Sequence, residues 1–190
     1  DDANSFDACG DVSFVGPASV TVSCEDVGED IMATVEGIDD NGNIGSCMAT
    51  ITVGGLPCDW IDSGGLGCSG NAEFDATEES FTINSTDCGA AFPYVADQVS
   101  FAYQDICGDV TITAEVTGVS ANAFGGIMIR EDDAPGARKV AIATNTIDRL
   151  LREIRTIPNY PAFPQESQSF DKFWLKLQRV NGYFFMGSVS

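Results

Sequence analysis

The chain has 190 residues, with 29 acidic and 9 basic side chains, no histidine and a net charge of −20. That length allows one large domain or two smaller ones. The charge opposes contact with nucleic acid and anionic membranes, and the missing imidazole removes the Ser-His and Cys-His nucleophile pairs.

Apolar alternation with period two runs through Ser19–Cys24, Ile31–Ile38 and Cys47–Val53, which are predicted strands. Between the last two lies DDNGN, Asp39–Asn43, whose Asn41-Gly42 pair suits a tight hairpin turn. It lacks the closing Glu and flanking helices of an EF-hand, so it reads as a turn. GGLPC, Gly54–Cys58, interrupts the pattern and marks a domain boundary. The expected domains are therefore 1–54 and 55–190. Further predicted strands are AEFDA, ESFTIN, QVSFAYQ, DVTITAEVTGV, GGIMIRE and KVAIATN, separated by Gly, Asp and Asn. RLLREIRT, Arg149–Thr156, is expected to be a strand because it sits among strands. IPNYPAFPQ has three prolines and reads as a loop. The last stretch is an expected hairpin turning at Asn181-Gly182, with Trp174 placed in the core beside Leu175 and Leu177. Many short strands and almost no helix predict an all-β chain of β-sandwiches.

Charge is unevenly spread. Residues 1–129 hold 22 acidic side chains and no Lys or Arg, whereas residues 130–190 hold nine basic against seven acidic. The acidic part tolerates salt and could attract Ca²⁺, which takes oxygen ligands; a merely solubilising surface has the same composition. There are seven cysteines, none in a CxxC pair, which argues against zinc. Scattered through strand-like sequence, Cys24, Cys47, Cys58, Cys68, Cys88 and Cys107 are expected to form disulfides in an oxidising compartment. Cys9 makes the count odd, so one thiol is free or has its partner elsewhere. No apolar run reaches the eighteen residues a spanning helix needs, so no membrane insertion is expected. The sequence opens on Asp1 without a leader, as expected of a mature or excised fragment.

Two stretches carry a resemblance. Cys9–Val53, with a strand ending in Cys, then D-x-NGN, then C-x-A-T-I-T-V, resembles an immunoglobulin-like surface repeat of the hyalin-repeat kind from secreted proteins of the Bacteroidetes. The resemblance implies a Cys24–Cys47 disulfide and a domain incomplete at its N-terminus. From Trp60 onward the chain resembles concanavalin-like jelly-roll domains of bacterial secreted proteins. The matching elements are F-x-Y-Q, G-D-x-x-I-T-A-x-V, G-x-M-I-R-E and W-x-K-L-x-R, most densely across Asp97–Ala143. It implies a lectin-type binding or spacer module, incomplete at its C-terminus.

Enzymatic signals are weak. A glycosidase needs two facing carboxylates, and Glu115 and Glu131 lie in strand regions where such a pair could form, but nothing singles them out. Tyr94, Tyr160 and Phe163 lie in or near Pro-rich loops and are candidate sugar-stacking residues; they could equally pack their loops onto the sandwich. Candidate Ca²⁺ ligands are Asp59 and Asp62, and Glu131, Asp132 and Asp133. The expectation is a secreted, cell-surface, adhesin-like or filament-forming module. Its partners would be other copies of itself, flanking domains or glycans, and not nucleic acid. The alternative is an accessory carbohydrate-binding module of a secreted glycan-active enzyme.

Overall fold

The computed structural model describes residues 11–16, 19–88, 95–121, 123–145, 149–168 and 174–189, so Cys9 and Tyr94 lie outside the described residues. The chain is all-β, with several antiparallel sheets and a single 3₁₀ turn among the described residues. No helix among them is long and apolar enough to cross a membrane. By contact it divides into two units: Asp1–Trp60 with Glu73–Thr82, and Ile61–Ala72 with Ile83–Ser190.

The first unit contains a three-stranded meander of β1 (Val12–Val15), β2 (Asp30–Asp39) and β3 (Ile44–Thr52), in the order β1-β2-β3. The β2–β3 turn forms as its Asn-Gly pair predicts. Gly42 has a φ of 82°, and the Asp39 carboxylate accepts hydrogen bonds from the Asn41 and Asn43 amides at 2.9 and 2.7 Å. The predicted strand Ser19–Cys24 does not form. Ser23 instead caps the 3₁₀ turn Cys24–Asp26, donating its amide to the Asp26 carboxylate at 2.7 Å while its Oγ accepts from Glu25 at 3.3 Å. This local exchange satisfies backbone groups that a strand would have needed to pair.

The disulfides differ from the pairing that the resemblance implies. Cys24 bonds Cys58, not Cys47, and Cys68 bonds Cys88; Cys47 and Cys107 are free and exposed. The reason is positional. Cys24 sits on the 3₁₀ turn, while Cys47 stands on β3 opposite Val35 with its thiol uncovered. Beyond Gly54, Cys58 is thus tied into the first unit, and the Trp60 ring lies 4.5 Å from that of Phe81, which lies 4.9 Å from Phe74.

The remaining strands begin with β4 (Ile61–Asp62), β5 (Ser69–Asp75), β6 (Ser80–Thr86) and β7 (Ala102–Tyr103). Here β4 pairs with β7 and β5 with β6. The predicted strand QVSFAYQ is reduced to the two-residue β7 and an isolated bridge from Val99 to Leu66. The second unit then adds β8 (Val110–Glu115), β9 (Gly125–Arg130), β10 (Lys139–Thr144), β11 (Arg149–Arg155), β12 (Phe163–Gln168), β13 (Trp174–Val180) and β14 (Tyr183–Val189). They form two sheets, β12-β11-β10-β9 and β14-β13-β8. RLLREIRT is a strand, as expected. The proline-rich loop is shorter than expected, because β12 starts within it at Phe163. Pro164 is tolerated there because β12 is an edge strand.

The core lies between these two sheets. Ile127, Val140, Ile142 and Leu150 come from one, and Leu175 and Leu177 from the other. Leu175 and Leu177 are wholly buried, each worth about 2 kcal/mol of apolar transfer. Strand parity then corrects the expectation for Trp174. With Leu175 and Leu177 pointing inward, Trp174 must point outward, and it is exposed.

Candidate functional site

Lys139 on β10 stands in register with Arg130 on β9 and with Arg155 on β11. Adjacent strands are about 5 Å apart, so three cations lie in one row across the sheet. Such a row repels itself unless an anion is built into it. Asp97, which precedes β7, supplies that anion. Its carboxylate takes two bonds from Arg155 at 2.7 and 3.1 Å, one from Lys139 at 2.8 Å and one from Arg130 at 3.2 Å. Glu153 lies on the same face as Arg155, two residues earlier, and pairs with Lys139 at 2.8 Å.

Loops close over this network through their carbonyls. Arg155 donates to Pro135, Ala137 and Tyr160. Arg130 donates to Asp132 and Ala134 and lies 5.2 Å above the Phe101 ring. The Asp97 amide in turn donates to Pro135 at 2.8 Å. None of the five charged side chains is more than 8% exposed. Bidentate, charge-assisted bonds of this kind are the strong ones.

Burial alone would raise the Asp97 carboxyl, but the hydrogen bonds and charges of Arg155 and Lys139 together hold it below the ordinary carboxylate value. Burial also raises Glu153, and there it prevails over Lys139. One oxygen of Glu153, Oε1, is buried without a hydrogen-bond partner. The Arg130 guanidinium is lowered, chiefly by burial, with Asp97 opposing. A raised carboxyl beside a lowered one is the pattern that acid–base catalysts use. Here both are sealed from solvent, so the arrangement fastens loops onto a sheet rather than meeting a substrate.

A pH prediction follows. The folded state holds the Glu153 proton more tightly than the unfolded state, so stability falls as pH rises past the ordinary value of 4.5. Asp97 acts in the opposite sense: its contribution is complete above 3.8 and is lost as pH falls through its lowered value. Glu153→Gln keeps an acceptor for Lys139 and removes one titration. It is expected to flatten the decline of melting temperature above pH 4.5; an unchanged slope would exclude Glu153 as its source.

The sequence candidates lie elsewhere. Tyr160 and Phe163 are 60% and 69% exposed. Tyr160 is anchored through its backbone, by its carbonyl to Arg155 and its amide to Ile157. Phe163 opens β12 opposite Ile154. Asp59 and Asp62 belong to different units, and Asp62 accepts from the Gly64 and Ala72 amides. Glu131 pairs with Arg138, Asp132 accepts from the Ala134 amide, and Asp133 is exposed. Among the described residues no three Cys, Asp or Glu side chains are grouped as for a metal ion. Glu115 is exposed on β8 rather than turned inward. Asp97, Lys139 and Glu153 were not legible as a set. Only the strand register and a contact between residues 58 apart, Asp97 and Arg155, bring them together.

In comparisons with known proteins, the chain matches no family model, no curated protein and no solved structure.

Proposed function

We propose that this chain is an extracellular structural and binding module of an adhesin-like or filament-forming bacterial surface protein. In this reading an immunoglobulin-like unit leads into a jelly-roll unit, and the first is completed by a strand from another copy or a flanking domain. One observation carries the proposal. Among the described residues eleven apolar side chains are buried, and only Val53 of these belongs to the first unit. A unit of that size with so little core requires staples or a partner.

The edge strand β3 supplies the surface. Its residues are exposed apart from Ile51, and Ile44 and Met48 are among the most exposed apolar side chains. A long apolar edge of this kind is a template for strand addition. The two disulfides fit an oxidising, extracellular compartment. In sedimentation experiments the chain is expected to associate with increasing concentration. Met48→Lys, which places a charge on the edge, is expected to abolish that association. A wild-type chain that stays monomeric throughout would refute assembly through β3.

A second reading is favoured by exposed Tyr160 and Phe163, whose rings are free to stack on a sugar. In that reading the chain is an accessory carbohydrate-binding module of a secreted glycan-active enzyme.

A further inference from the structure

The outward face of the β14-β13-β8 sheet combines aromatic and polar side chains in a fixed pattern. Because Leu175 and Leu177 point into the core, Trp174, Lys176, Gln178 and Val180 point away from it. The β14 residues opposite Gln178 and Val180 are Phe185 and Tyr183, and opposite Lys176 stands Gly187. On the other side, Thr111, Thr113 and Glu115 of β8 oppose Gln178, Lys176 and Trp174. Tyr183, Phe185 and Trp174 are 71%, 56% and 42% exposed.

The spacing follows from strand geometry. Tyr183 and Phe185, two residues apart on β14, are separated by about 7 Å along the strand. Trp174 is displaced from Phe185 by four residues and one strand, about 14 Å. Between these two aromatic positions the floor is low. Among the described residues, chain neighbours aside, no heavy atom lies within 4 Å of where a Cβ on Gly187 would stand. The polar groups flank that floor. Gln178 donates from Nε2 to Thr111 Oγ1 at 2.9 Å, which ties its amide to β8. Lys176 makes no ion pair among the described residues.

We infer that this face is a binding platform for a linear, neutral polysaccharide. Aromatic rings separated by a shallow polar floor suit a ribbon of pyranoses. The rings take the apolar C–H faces, and Gln178, Lys176 and Thr113 take hydroxyls. The composition argues against the other occupants. The middle of a protein interface is depleted of Lys, whereas Lys176 is central here. The net charge of −20 opposes polyanions. The inference rests on the carbohydrate-binding reading, names a surface other than Tyr160 and Phe163, and is independent of assembly through β3.

Affinity electrophoresis of the chain in gels containing mixed-linkage β-glucan, xylan, galactomannan or laminarin tests it, with alginate as the anionic control. The wild type is expected to be retarded by at least one neutral polymer. Trp174→Ala and Phe185→Ala are each expected to weaken retardation roughly tenfold. Gly187→Val, which fills the floor where a Cβ meets nothing, is expected to weaken it with an unchanged melting temperature. Retardation lost only in the double variant Tyr160→Ala, Phe163→Ala would overturn this platform and keep the carbohydrate reading. No retardation by any neutral polymer, or by alginate alone, would overturn both.

Discussion

Replacing Asp97 with alanine is expected to destabilise the second unit by about 3–5 kcal/mol, the usual cost of removing one partner from a buried ion pair. The substitution deletes the carboxylate shared by Arg130, Lys139 and Arg155, all in one register row. Glu153 remains, but its ion pair is with Lys139. Two guanidinium groups would then be buried beside each other with their shared carboxylate removed. The loop over the network would also loosen, because the Pro135 and Ala137 carbonyls accept from the Arg155 guanidinium that the Asp97 carboxylate holds in place. Urea denaturation followed by circular dichroism measures the loss. Asp97→Asn, which retains acceptor oxygen but not charge, is expected to fall between the two. An Asp97→Ala chain as stable as wild type would show that water or rearranged carbonyls compensate the cations.

Removing the Cys24–Cys58 disulfide is expected to have a comparable effect on the first unit. The bridge closes a sequence separation of 34 residues. In the chain-entropy account such a loop contributes about 4 kcal/mol, with measured bridges commonly delivering 2–4. A fully hydrophobic domain could absorb that loss. This unit has Val53 as its only buried apolar side chain among the described residues, together with a partly buried aromatic cluster of Trp60, Phe74 and Phe81. The double variant Cys24→Ser, Cys58→Ser is therefore expected to lose amide protection across β2 and β3 in hydrogen exchange. Protection in β10, β11 and β13, whose side chains build the second core, should persist. Uniform protection in the variant would mean that the first unit has support other than its bridge.

These two expectations depend differently on what the amino-acid order reveals. A disulfide framework was legible, because unpaired-looking cysteines without CxxC spacing or histidine favour bridges over zinc. Its connectivity was not. Cys24 and Cys47 both end or begin apolar alternations, yet a Ser23–Asp26 capping exchange turns the chain at Cys24 and Cys58 becomes its partner. The charged network was less legible still. Arg130, Arg155 and Lys139 look like ordinary strand charges, and Asp97 like a turn residue ahead of an apolar run.

By itself the sequence determined the all-β class, the strands expected at Ile31–Ile38, Cys47–Val53 and Arg149–Thr156, which form as Asp30–Asp39, Ile44–Thr52 and Arg149–Arg155, and the hairpin turns at Asn41-Gly42 and Asn181-Gly182. These depend on side-chain periodicity and on residues that accept positive φ, as Gly42, Asn181 and Gly182 do at 82°, 50° and 79°. Such preferences act over a few neighbouring residues, so the order of residues suffices to express them. The tertiary structure alone decided which strands neighbour each other, that three cations share a row with Asp97, and which cysteines meet. It also set Trp174, Phe185 and Tyr183 on one outward face. Each of these is a question of register between strands distant in sequence, where a slip of one residue would turn every side chain to the opposite side.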